Sequence, residues 1–196
     1  MSNQPLEQME DLQRFLEFCR TVEQPFCDFE DVENGNKVLT SLLKSEAEPY
    51  FTVIGIQKSH SLMCFWKYND SVSLQEQPIV WLDSEGTPNA VVASNFRDFL
   101  SLLPYDTGAI YDWIASWERY LDNPSSQQTP IERFTNERIE MYIEMSQEDN
   151  PFREQFINWL REEMNIEPAT QPVALVGEAI QSFPRLSQWL ADRQLN

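Results

Sequence analysis

Apolar positions in the middle of the chain follow a two-residue period that gives way to a helical one. Leu62, Cys64, Trp66 and Tyr68 alternate with Met63, Phe65 and Lys67 across residues 61–68, the period of a strand whose side chains point to opposite faces. Tyr50 to Ile56 is rich in β-branched and aromatic residues and reads as the strand before it. The polar segment Gln57-Lys58-Ser59-His60 between them is short enough for a hairpin. Ile79 to Leu82 is a continuous apolar run bounded by Pro78 and by Asp83-Ser84-Glu85-Gly86, the pattern of a central strand covered on both faces. Gly86 can adopt a positive φ, and Asp83 and Ser84 can bond neighbouring amides, so this cluster suits a turn from which Ala90 to Ala93 returns antiparallel. Ser94 or Asn95 can cap the helix that follows, where Phe96, Phe99, Leu100 and Leu103 recur at helical spacing. With a longer polar loop at residues 69–77, the pattern predicts a four-stranded meander ending in a helix.

Helical periods dominate on either side. Pro5 to Arg20 places Leu6, Met9, Leu12, Leu16 and Cys19 at three- and four-residue spacing, with Phe15 and Phe18 widening the stripe. Over residues 21–48, Pro25, Asn34-Gly35 and the acidic cluster Asp28, Glu30, Asp31 and Glu33 suggest irregular structure, while Val38 to Leu43 fits a strand or a short helix. Beyond Pro104, Ile110, Trp113, Ile114, Trp117 and Leu121 mark one face of a helix that stops near Asn123-Pro124. Thr129-Pro130-Ile131-Glu132 is a capping-box start, and Asn150-Pro151 marks another, followed by the stripe Phe152, Phe156, Ile157, Leu160 and Met164. One or two further short helices fit Pro172 to Phe183 and Pro184 to Arg193. The expected fold class is α+β, a mostly antiparallel sheet packed by helices with additional C-terminal helices. Residues 1–123 form the α+β core and residues 129–196 a helical segment packed on the same body. Length also allows two small domains.

Charge changes this picture most. Asp and Glu total 32 against 14 Lys and Arg, a formal charge of −18, beyond the magnitude of about 2 to 8 that suffices to keep a small domain dissolved. Such a surplus repels nucleic acid and anionic membranes and steers association with cationic proteins, so the expected partner is a basic protein. The plainer alternative is a surface that only confers solubility. Cys19, Cys27 and Cys64 form an odd set without CxxC spacing, which favours buried or inert thiols over a disulfide framework or a zinc site. No cofactor is expected. The chain lacks an apolar run of the roughly 20 residues that cross a bilayer, and Met1 to Gln8 has neither the basic start nor the apolar middle of a signal peptide, so a soluble, cytoplasmic protein is expected.

Candidate chemistry is sparse. Asp83 and Glu85 could act as paired carboxylates in glycoside hydrolysis, but neighbours in one turn seldom flank a substrate; turn chemistry and a partner contact compete with that reading. His60, the only histidine, has no Ser or Cys tied to it by motif and reads as a solvated loop residue. The acidic cluster at residues 28–33 lacks the oxygen-ligand order of an EF-hand loop. Trp113 and Trp117 read as core, whereas Trp66 and Trp81 fit either core or, if exposed beside the acidic turn, interface anchors. Asp83, Glu85, Trp66 and Trp81 are therefore the candidate partner-binding residues; none is assigned as catalytic or as a metal ligand.

Three segments in order, Met63-Cys64-Phe65-Trp66, then Pro78 to Gly86, then Val91 to Leu103, resemble the SUKH superfamily, which includes the yeast cell-wall regulator and the bacterial Smi/Knr-like proteins. The likeness spans residues 50–121, with a weaker echo in the later helices. It implies an α+β fold with helices on an antiparallel sheet, and no catalysis. Bacterial members are largely regarded as immunity proteins that bind and neutralise toxins, many of them nucleases; others are intracellular regulators or scaffolds. An acidic inhibitor suits a basic nuclease, because its carboxylates can occupy the positions of nucleic-acid phosphates. In two places the chain departs from the pattern: residues 57–60 lack the glycine often found before the Trp-bearing strand, and the N-terminal segment matches poorly.

Overall fold

The computed structural model describes residues 9–22, 32–57, 60–125, 128–145 and 151–195. Among these, β1 (Phe51–Ile56), β2 (Leu62–Trp66), β3 (Ile79–Leu82) and β4 (Ala90–Ala93) pair antiparallel in the order β1-β2-β3-β4. Cys64 stands opposite Val53 on one side and Val80 on the other, so β2 is paired along both edges. Alternation sends Met63, Phe65, Ile79, Trp81 and Val92 into one core and Leu62, Cys64, Trp66, Val80, Leu82 and Val91 into a second. Helices cover both faces, so every residue of β2, β3 and β4 is buried and no polar period survives in them. A bulge between Val53 and Gly55 puts Ile56 back on the face of Val53.

The first face packs against α1 (Glu10–Thr21), α3 (Phe96–Leu102), α4 (Thr107–Asp122) and α7 (Arg153–Glu163). Aromatic edges join these layers: Phe65 lies 5.6 Å from Phe96, and Phe15 lies 6.0 Å from Phe96 and 6.1 Å from Phe156. Asn95 is the cap of α3, its side chain accepting from the Asp98 amide at 2.9 Å. The second face packs against α2 (Val32–Leu42) and α9 (Leu186–Asp192), with Trp189 edge-on to Trp66 at 5.1 Å. Running beside β4, α8 (Pro172–Ser182) gives Val173, Val176 and Ile180 to the first core and Ala179 to the second. Two helices, α5 (Pro130–Arg133) and α6 (Asn136–Met145), lie between α4 and α7 in the chain. The expected capping box is present at α5, where Thr129 and Glu132 bond each other's backbone amides.

One reading of residues 21–48 is decided and one changes. Of the strand and the short helix that fit Val38 to Leu43, the helix forms and ends at Leu42, and α2 runs through Asn34-Gly35 where irregular structure was expected. The physical reason is close approach: a Cβ on Gly35 would come within 2.7 Å of Val53 Cγ1, so the glycine lets the helix lie directly on β1. Pro25, Asp28, Glu30 and Asp31 lie outside the described residues, as does Cys27. Cys19 and Cys64 are buried, and burial pushes the Cys64 thiol far above its ordinary range, as expected of an inert thiol.

Candidate functional site

The β3–β4 turn is built by its own polar groups. Gly86 has φ 88° and donates its amide to the Asp83 carbonyl at 3.0 Å. One carboxylate oxygen of Asp83 accepts from the Glu85 amide at 2.9 Å, and the other faces the Ser61 hydroxyl at 3.4 Å. The Asp83 amide in turn donates to Asn89 Oδ1 at 2.8 Å, and the Thr87–Pro88 peptide is cis. Asp83 is consequently only 7% exposed and holds the turn together, whereas Glu85 projects into solvent.

Burial also decides the two strand tryptophans. Trp66 is 0% and Trp81 3% exposed, so neither side chain is an interface anchor. Alternation sends them to opposite faces of a sheet that is covered on both sides, Trp66 beneath Trp189 and Trp81 beneath α4. What reaches the surface above Trp81 is Tyr111, whose ring lies 5.5 Å from the indole. Beside it stands Asp112, which accepts a 2.7 Å hydrogen bond from the Tyr142 hydroxyl of α6. Burial, and then the negative charge of Asp83, Glu85 and Asp112, raises the Tyr111 phenol above its ordinary range, against a smaller pull from Arg119. Tyr142 is raised first by its bond to Asp112, with burial and that carboxylate's charge adding to it.

The result is a surface contributed by three elements: Glu85 from the β3–β4 turn, Tyr111 and Asp112 from α4, and Tyr142 from α6. Carboxylates beside partly exposed phenols can accept from Lys or Arg and give a guanidinium an aromatic face to lie on. Tyr111, Asp112 and Tyr142 were not among the sequence candidates. Their only signal is that residues 111 and 112 interrupt the apolar stripe of α4; the hydrogen bond that joins residue 142 to residue 112 has no sequence signature.

The remaining candidates are placed simply. His60 is exposed with φ 66°, and it closes the β1–β2 hairpin by donating its amide to the Gln57 carbonyl at 2.8 Å. It takes the left-handed conformation that glycine adopts most readily. Among the described residues no group of three or more His, Cys, Asp or Glu side chains is arranged to hold a metal ion. A concavity of about 820 Å³ is a groove between α1 and α7 lined by Phe18, Asn158 and Trp159, with Arg14 bridged to Glu163 at 3.0 Å across it. No described helix is long and apolar enough to cross a membrane. No family model, no curated protein and no solved structure matches this chain.

Proposed function

We propose that this chain is a non-catalytic binding domain that docks a cationic protein on the surface formed by Glu85, Tyr111, Asp112 and Tyr142. Following the SUKH resemblance, the partner is a toxin domain that the chain neutralises in the cytoplasm. The observation that supports this reading is the convergence of carboxylates from separate elements around two partly exposed tyrosines, on a molecule carrying a formal charge of −18. A net field of that sign raises the encounter rate with a basic partner by roughly 10- to 1000-fold at low salt, while tyrosines supply the short-range contact typical of binding hot spots. A hydrolytic role for the turn has less support, because both carboxylate oxygens of Asp83 face donors, the Glu85 amide within the turn and the Ser61 hydroxyl just before β2.

Rescue of growth is the direct test. Co-expression with a secreted nuclease encoded beside this chain's gene is expected to abolish its toxicity, and failure of rescue with the chain expressed and folded would reject the toxin reading. Pairing Glu85→Lys with Asp112→Lys should weaken the complex about 100-fold, by placing like charges against the partner's basic face. Undiminished binding by that variant would move the contact surface elsewhere. Recovery of one abundant host protein regardless of any toxin would instead identify a regulatory scaffold.

A further inference from the structure

Helix α6 has a face that the fold does not use. Ile139 is buried, and Tyr142 and Ile143 are half-buried, so they hold the inner side of the helix. Met141 and Met145, one turn apart, are 57% and 75% exposed, the two most exposed large apolar side chains among the described residues. Next to this pair on the helix surface stand Glu137, Glu140 and Glu144, all exposed. On the other flank lie Arg138, exposed and donating to the Arg133 carbonyl at 3.0 Å, and then Tyr142, hydrogen-bonded to Asp112. Two flexible thioether side chains form a soft apolar strip that can adapt to several shapes, and here it is bordered by three carboxylates on one side and by a single arginine, held to the Arg133 carbonyl, on the other.

We infer that α6 is the docking element for a cationic amphipathic helix of the partner, with Met141 and Met145 taking its apolar stripe and Glu137, Glu140 and Glu144 its Lys and Arg side chains. This rests on the binding role proposed above and names the part of the partner that would be recognised. Charge selects the occupant. A second copy of this chain would bring the same net negative face, three glutamates to one arginine, against itself, and an anionic bilayer would be repelled in the same way, whereas a basic helix satisfies both the strip and its acidic border.

The probe is a synthetic Leu/Lys peptide of about 18 residues patterned at the helical period, with a control of identical composition whose period is destroyed. Binding is followed by calorimetry. The patterned peptide should bind at least about tenfold more tightly than the control. Combining Met141→Glu with Met145→Glu should remove that preference and weaken the patterned peptide about tenfold, although it adds two negative charges that would tighten any purely electrostatic association. Met141→Leu with Met145→Leu should preserve it, and because both positions are exposed, circular dichroism should report an unchanged fold for each variant. Equal binding of the two peptides, or undiminished binding by the glutamate variant, overturns α6 as the docking element. If Glu85→Lys with Asp112→Lys still weakens both peptides in that case, the acidic surface survives without α6; if it does not, both proposals fall. Sedimentation of the chain alone covers the remaining occupant: a dimer that the glutamate variant dissociates would assign the strip to a second copy and overturn the proposal.

Discussion

Gly177 shows how little room single positions have in this core. A Cβ there would sit 2.3 Å from the Trp117 ring, whose Nε1 donates to the Val173 carbonyl at 2.8 Å. Gly177→Ala should therefore cost about 2 kcal/mol or more, because a packed indole cannot yield without losing that bond; a lowered urea midpoint would report it. Asp98 is a different kind of cost. Burial, and then the charge of Glu178, raises its carboxyl above the ordinary range against the opposing hydrogen bond from Asn95. Above the unfolded value the native state then holds its proton more tightly than the unfolded chain, so this group's contribution falls as pH rises through the window between the two values. Asp98→Asn should raise Tm at pH 7 by a modest about 1–3 °C, since the site is half-exposed, and the gain should vanish by about pH 4. A difference between variant and parent that is independent of pH would show that the carboxyl's charge is not the source.

At the scale of elements, the strands were readable because their side chains have no freedom to choose a face. The alternation of Leu62, Cys64 and Trp66 against Met63 and Phe65 is reproduced residue for residue in the two cores. Composition misleads at Asn34-Gly35, because a turn-forming dipeptide also serves where a helix must lie against Val53, and that neighbour belongs to a distant part of the chain. The surface above Trp81 was hidden for the same reason: hydrophobic period locates Tyr111 on α4 but says nothing of Tyr142 arriving from α6. Arg185, just before α9, provides an element-scale test. Its guanidinium bridges Glu118 and Asp122 near the end of α4, a contact that raises its already high pKa. Arg185→Ala should cost about 1 kcal/mol, because the arginine is partly exposed. The loss should appear as faster amide exchange in α9 before it appears in the sheet.

Over the whole molecule, the surplus of carboxylates acts on stability as well as on encounter. A formal charge of −18 repels itself in the compact state, so Tm should rise as salt is added over the range in which the screening length falls below about 10 Å. A Tm that does not respond would mean that the charges are too dispersed to matter. Association with the proposed basic partner should show the opposite trend and slow with salt.

The packing of α8 on both cores and of α9 on the second also sets an order of events during synthesis. Trp66 and its neighbours on the second face are covered by Leu186, Trp189 and Leu190, so a nascent chain still inside the ribosome beyond residue 171 carries a sheet whose second face is covered by α2 beside β1 but left greasy and open around Trp66. Chains stalled there should recruit a chaperone or precipitate, and ribosome-arrested lengths assayed for protease resistance should become protected only once the last helices have emerged.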